Sequence, residues 1–228
     1  MLVQLLTHTP EPERLVAAAA RLCYSASSVE ELLQQDSARR EALLAKILSV
    51  GHLSTLEHVS FTFGIEGVSR ACSHQLVRHR LASYSQQSQR YVSHKQRFTA
   101  VTPPSIADRP ELLATFEAAL EEMHRVYAEL MEAGIPAEDA RFVLPNAAET
   151  KLVMTMNARE LLHFFALRCC RRAQWEIRAL AVEMLRQVRG VAPGLFAAGG
   201  PGCLVGACPE GAMTCGCVDE VRKEFANL

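Results

Sequence analysis

No stretch of this sequence approaches the roughly 18 uninterrupted apolar residues that a spanning helix requires, which argues against a membrane-embedded role. The opening segment, Met1 to Arg14, carries polar and acidic residues where a secretory signal would be apolar, so the expected location is the cytoplasm. Net charge is almost absent: −1 over 228 residues gives no general attraction to nucleic acid or anionic membranes, and any phosphate must be bound by a local arginine cluster. There is no internal repeat, no low-complexity tract and no linker long enough to separate domains. What is present, 49% hydrophobic and 21% charged residues, is ordinary globular composition. The expected organisation is one α+β domain over residues 1–200, with a mixed or antiparallel sheet packed against long helices. A Cys/Gly-rich tail follows over 201–228.

The hydrophobic period sets the predicted elements. Val3 to Leu6 reads as a strand, Glu11 to Cys23 as a helix, and Val29 to Val50 as one helix or two behind the N-cap Ser28. Val59, Phe61, Phe63 and Ile65 alternate with polar residues, which predicts a half-buried strand ended by Gly67. Ser69 to about Arg78 reads as a helix, Leu81 to Arg97 as an extended polar loop, Glu111 to Ala133 as a long amphipathic helix and Lys151 to Met156 as a strand. Asn157 is then expected to cap the longest helix, reaching about Arg189.

Another absence is local. Between Gly67 and Thr99 there is no Asp or Glu, yet Arg78, His79, Arg80 and Arg90 lie there among Gln75, Gln86, Gln87, Ser88 and Gln89. Guanidinium forks suit bidentate phosphate binding, and hydroxyls and amides can donate to sugar and base, so the inventory fits a mononucleotide or dinucleotide. A basic solvated loop is the bland reading of such a tripeptide. A nucleic-acid-binding loop is the rival, but it calls for a basic domain and an aromatic platform, and only Tyr84 and Tyr91 are at hand.

Arg78-His79-Arg80, seven residues and then Ser88 resembles the signature of the flavin-dependent thymidylate synthases, and Ser83, Arg90 and Tyr91 extend the match. The resemblance also covers Gly51-His52-Leu53-Ser54-Thr55-Leu56-Glu57-His58, Ala140 to Pro145, and Asn157-Ala158-Arg159 through Leu167-Arg168 to Gln174-Trp175-Glu176-Ile177. It implies reductive methylation of dUMP to dTMP. The implied carbon donor is 5,10-methylenetetrahydrofolate, NADPH reduces a bound FAD, and the active sites lie at the interfaces of a homotetramer. It places dUMP against Gln75, Leu76, Val77, Arg78, Gln86, Gln87, Ser88, Gln89, Arg90, Arg141 and Arg168. It places FAD against Ser54, Arg78, His79, Arg80, Gln86, Asn157, Arg159 and His163, and makes Arg168 the activating residue. Ser88 is then a ligand to dUMP rather than a nucleophile, because a serine needs an adjacent base and the resemblance assigns His79 to flavin.

Helical phasing at about 100° per residue picks out Arg168 by a separate route. Arg171, Arg178 and Arg189 fall opposite the apolar stripe and read as solvated surface. Arg168 falls on a flank with Leu161 and Phe165, where a charge is partly buried and needs a partner, a salt bridge or a ligand. The sequence departs from the commonest family pattern at Ser85-Gln86, where Asn-Glu is frequent, and at His163, where asparagine is common. Both departures weaken the contacts carried over to those positions. Eight cysteines are many for a chain of this size. Cys203, Cys208, Cys215 and Cys217, even with Cys169 or Cys170, lack the C-x2-C spacing of ordinary zinc sites, so packing thiols are expected ahead of a metal. His52 and His58 likewise stand at a spacing that fits no standard helical ligand pair.

Overall fold

The computed structural model describes residues 1–34, 36–93 and 97–228. Strand β1 (Leu2–His8) leads into α1 (Pro12–Leu22), where proline in the first turn breaks no helical hydrogen bond. Ser28 opens α2 (Val29–Leu33) with a capping box, its hydroxyl accepting from Glu31 N–H while the Glu31 carboxylate accepts from Ser28 N–H. Asp36 caps α3 (Ser37–Ser49). The stretch that admits one helix or two is therefore two, because each half carries its own cap; Gln35 lies outside the described residues. Strand β2 (Ser60–Ser69) and α4 (Arg70–Leu76) follow, the helix capped by the Ser69 hydroxyl, which accepts from Cys72 N–H. Beyond them come β3 (Ala82–Gln86), α5 (Pro104–Ala107), α6 (Pro110–Glu132), α7 (Ala137–Ala140) and β4 (Glu149–Asn157). The chain ends with α8 (Ala158–Arg168), α9 (Trp175–Val191), α10 (Pro193–Phe196) and α11 (Val218–Ala226).

The strands form one antiparallel sheet in the order β1-β2-β4-β3. Its register is visible in cross-strand pairs. Leu6 lies over Gly64, Thr62 and Thr155 share a hydroxyl hydrogen bond of 2.9 Å, and Gln86 donates to Thr150 Oγ1 at 3.1 Å. The α+β class is as expected, and the alternation of Phe61, Phe63 and Ile65 does bury one face of β2. Gly67 does not end that strand: it sits inside β2 at φ +68, a left-handed value that glycine adopts without a Cβ clash.

Two further expectations are corrected. Residues Ala82–Gln86, inside the predicted polar loop, form β3; their burial alternates, but through Ser, Tyr and Gln rather than aliphatic side chains, so no hydrophobic period announces the strand. Residues 94–96 of that loop lie outside the described residues. The predicted helix from Asn157 to Arg189 is broken after Arg168. Gln174 starts α9 afresh, its amide oxygen accepting from the N–H groups of Glu176 and Ile177. Glutamine is not among the preferred capping residues, which is why the break is silent in the sequence. The longest helix is α6 instead.

The chain gathers into two compact units, and β2 and β4 contribute to both. One comprises residues 1–2, 65–78 and 84–153, with Val68, Cys72, Leu76, Phe98 and Tyr127 buried in it. The other comprises residues 3–64, 79–83 and 154–228. Its centre is aromatic: Phe196 meets Phe61 edge-on at 5.3 Å and Phe165 at 6.0 Å between ring centroids. Gln187 of α9 ties β1 to this core, donating to Val3 O and accepting from Leu5 N–H.

The three arginines expected on a solvated face hold the C-terminal segment to this second unit. Arg171 pairs with Glu220 at 2.6 Å, and Arg178 pairs with Glu224 at 2.5 Å, both carboxylates belonging to α11. Arg189 donates to four carbonyls, those of Phe196, Ala197, Gly199 and Phe225. Replacing Arg189 with methionine keeps the stem and removes the donors. We expect Arg189→Met to lower unfolding stability by about 2–4 kcal/mol, read from the urea midpoint of the purified protein; a shift within about 0.5 kcal/mol would contradict this account of the tail.

Candidate active site

In the first unit, α4 and the polar segment after it present a row of amides and guanidiniums. Gln75 reaches back to Ala71 O, Leu76 is a core residue, Val77 is exposed, and Arg78 projects from the end of α4. Past β3, Gln87 N–H donates to Lys151 O, and Ser88 Oγ accepts from Arg90 N–H at 3.1 Å, so the loop turns on the serine hydroxyl. Arg90, without an acidic neighbour in its own segment, forms an ion pair at 2.8 Å with Glu138 of α7, far along the chain. Arg141 donates from Nε to Glu138 O, so one glutamate gathers both arginines. Arg70, which sequence reasoning did not single out, has its guanidinium pKa pushed down by burial and by the nearby charge of Arg141. A third cation therefore stands beside this group, and its only sequence signal is its place immediately after the helix cap Ser69.

In the second unit a cleft of about 750 Å³ opens along the N-terminal half of α8. Asn157, Arg159 and His163, all expected to touch a cofactor, line it together with Leu53, Leu81 and Leu162. Expected neighbours flank the cleft in sequence: Ser54 follows Leu53 and Arg80 precedes Leu81, both with exposed side chains. Asn157 caps α8 with its side-chain oxygen, and Arg159 pairs with Glu57 at 2.5 Å. Three leucines against a helix start carrying amide, guanidinium and imidazole groups suit a flat heteroaromatic group with polar edges, and the volume lies in the ordinary range for small-molecule sites. The residues present therefore fit a flavin.

Arg168, the last residue of α8, is half-buried, as the flank position predicts. Its partner is not a carboxylate. Nε donates to His79 Nε2 at 3.0 Å, and among the described residues no acid forms an ion pair with it. His79 is 5% exposed, packed edge-on against the Phe164 ring, and its Nδ1 lies 3.3 Å from Glu160 Oε1. Two readings of that last contact compete, a salt bridge to an imidazolium or a hydrogen bond from a neutral ring. An Nε2 that accepts from Arg168 cannot carry a proton, so the ring is the neutral Nδ1–H tautomer, donating to Glu160. Burial, with Arg168 and His163 adding repulsion, lowers the His79 pKa to about 4, in agreement. Burial also raises the Glu160 carboxyl, with His163 acting against it.

His79 was expected to touch flavin; in the structure its two ring nitrogens are engaged by Glu160 and Arg168. Glu160, which lines the cleft, was missed altogether. Three residues after Asn157 it reads as the second half of a capping box, and the structure uses only the first half, diverting the carboxylate to His79. The cysteines carry no comparable chemistry. All eight are free, and burial pushes the Cys169 thiol up to about 12, so it remains a packing thiol.

Comparison with known proteins agrees over most of the chain. The profile of the thymidylate synthase complementing protein family matches residues 4–194. A flavin-dependent thymidylate synthase of Geobacter sulfurreducens is 60% identical, covering 100% of this chain and 99% of its own length, so the similarity runs through the C-terminal tail. One of Clostridium tetani is 50% identical, covering 98% of this chain and 96% of its own. Among solved structures, the UMP/dUMP methylase PolB of Streptomyces cacaoi, bound with 5-Br dUMP, superposes with a TM-score of 0.75 at 25% identity, covering 86% of this chain and 93% of that one.

The state of His79 sets a pH dependence. Its pKa is near 6.5 in the unfolded chain and about 4 in the folded one, so between those values the unfolded state binds more protons. Its contribution therefore makes stability fall as the pH drops from about 6.5 to about 4, by at most about 3 kcal/mol. Glu160, raised by burial, acts with the opposite sign, so the comparison is wild type against His79→Gln, which isolates the histidine. We expect the urea midpoint of the wild type to fall more steeply across that window than the variant's. Parallel curves would mean that His79 titrates alike in both states.

Proposed function

The chain belongs to the flavin-dependent thymidylate synthase family, and on that premise we propose that Arg168, held by His79, stabilises the negative charge that develops on the pyrimidine of dUMP. The protein is an FAD-dependent enzyme that methylates dUMP to dTMP. For carbon to add at C5 of uracil, that atom must gain carbanion character, and the charge spreads over O4, N3 and O2. A fixed guanidinium beside that edge lowers the barrier, and loss of one such preorganised donor typically costs about 2.7–4 kcal/mol. The observation that carries this reading is a half-buried arginine whose partner is a neutral imidazole and to which no carboxylate is paired among the described residues. The arginines that serve the fold in this unit spend their donors on carboxylates, as Arg171 and Arg178 do, or on backbone carbonyls, as Arg189 does.

The phosphate end of dUMP is assigned to the loop from Arg78 through Arg90, with Arg141. The Ser88 hydroxyl, the Gln86, Gln87 and Gln89 amides and the arginines around Glu138 supply the donors. FAD is assigned to the cleft lined by Asn157, Arg159 and His163, with Ser54, Arg78 and Arg80 as further contacts. When bound, it supplies the hydride transfer that side chains cannot perform. 5,10-Methylenetetrahydrofolate as carbon donor and NADPH as reductant complete the reaction. Cys169 stays protonated, which fits a route without thiolate attack on the ring.

We further assign the active assembly to a homotetramer with sites at subunit interfaces. Support comes from a recurring pairing in the sequence: expected ligand arginines adjoin large exposed apolar side chains. Leu81 is 72% exposed beside Arg80, Tyr91 81% beside Arg90, and Phe142 82% beside Arg141. Leu167, beside Arg168, is exposed as well. Aromatic side chains and arginines are enriched at protein interfaces. No helix is long and apolar enough to cross a membrane among the described residues, and eight free thiols accord with a reducing cytoplasm.

The purified protein is expected to be yellow, to bleach with NADPH, and to convert dUMP to dTMP when methylenetetrahydrofolate is added. A colourless protein that FAD cannot reconstitute would sink the assignment. For Arg168→Ala we expect near-normal FAD content and a turnover about 10²- to 10³-fold lower; a variant keeping most of its activity would remove Arg168 from this role.

A further inference from the structure

We propose that Glu160 is a positioning residue for the reaction, acting on Arg168 through the His79 ring. Both acid and arginine sit on α8, eight residues apart, with about 12 Å of helix rise between their backbones, and each meets the His79 ring rather than the other. The imidazole of His79 bridges that gap. Glu160 Oε1 lies 3.3 Å from Nδ1, and Arg168 Nε lies 3.0 Å from Nε2, so three side chains form one hydrogen-bonded chain.

The direction of every bond in that chain is fixed at its Glu160 end. A carboxyl oxygen facing Nδ1 accepts, which selects the Nδ1–H tautomer and leaves Nε2 as a lone pair. Only that lone pair can hold the Nε–H of Arg168. With no acceptor at Nδ1, the ring is free to carry its proton on Nε2, and two donors then face each other. Water is poorly placed to take over, since His79 is 5% and Glu160 6% exposed. Holding Arg168 by Nε also leaves both terminal amino groups of the guanidinium without a hydrogen-bond partner among the described residues, and these are the atoms a pyrimidine edge would meet. The logic is that of a buried acid fixing a histidine tautomer in a catalytic triad, with a guanidinium in place of the hydroxyl.

This inference rests on the assignment of Arg168 to the pyrimidine, and the test separates the two. Glu160→Met fills the same space without an acceptor, whereas Glu160→Gln keeps a carbonyl oxygen for Nδ1. In the FAD-loaded enzyme, Glu160→Met should lower kcat about 10- to 100-fold, the usual scale for removing an outer partner that orients a functional side chain. Its FAD content and KM for dUMP should stay within about threefold of wild type, and Glu160→Gln should restore most of kcat. In an Arg168→Ala background, Glu160→Met should cost almost nothing further, since there is no guanidinium left to position. An equal loss in both backgrounds, or methionine and glutamine variants that lose alike, would overturn the role of Glu160. If the methionine variant does not fold, the glutamine variant decides alone, because a loss as large as about 100-fold with FAD still bound contradicts an acceptor role. Full activity of Arg168→Ala by itself would instead remove the assignment on which the inference rests.

Discussion

The hydrogen bond from Arg168 Nε to His79 Nε2 constrains everything around it, because it can exist only if the imidazole is neutral. Neutrality at ordinary pH follows from burial against Phe164 and from the repulsion of Arg168 and His163. The same burial requires a partner for Nδ1, and Glu160 provides it. A cation is thus anchored by a group without charge, and its positive field is left for a ligand. Pairing Arg168 with a carboxylate would have held it equally well but cancelled the charge in place.

That arrangement draws on α8 at both ends and on the short segment that enters β3. Asn157 fixes the start of the helix, and the turn after Arg168 ends it, so Arg168 stands at a helix terminus rather than inside a continuous rod. The break has a further consequence for Arg171 and Arg178. Freed from the α8 phase, they reach the carboxylates of α11 and fasten the C-terminal segment, while Arg189 binds carbonyls on either side of it. Arginine therefore serves two purposes in this unit. Arg171, Arg178 and Arg189 hold the fold through carboxylates and carbonyls, whereas Arg168 meets a neutral ring and keeps its charge available.

Much of this was legible in the sequence, for identifiable reasons. Strands β2 and β4 carry apolar side chains in alternation, α6 carries a clear amphipathic period, and Ser28 reads as an N-cap, so both strands, α6 and the start of α2 were placed within a few residues. Strand β3 was not, because its alternation is written in small and polar side chains, and the α8–α9 break was not, because a glutamine makes the cap. The spacing from Arg78 to Ser88 named the family, and residues 4–194 match its profile. Phasing placed Arg168 on a partly buried flank, correctly, since that stretch precedes the break. The same phasing misread Arg171, Arg178 and Arg189, which follow it. Two partners were out of reach of local reasoning. Glu138 and Glu160 lie 48 and 81 residues from Arg90 and His79, and only the fold brings them together.

The central claim concerns one proton, and it can be observed directly. Nitrogen-15 NMR of the histidine-labelled holoenzyme near pH 7, with the His79 signals assigned by their loss in His79→Gln, reports which ring nitrogen is protonated. The account predicts a neutral ring with a protonated Nδ1 and an unprotonated, hydrogen-bond-accepting Nε2. An imidazolium, or a proton on Nε2, would contradict it, because neither can accept from Arg168.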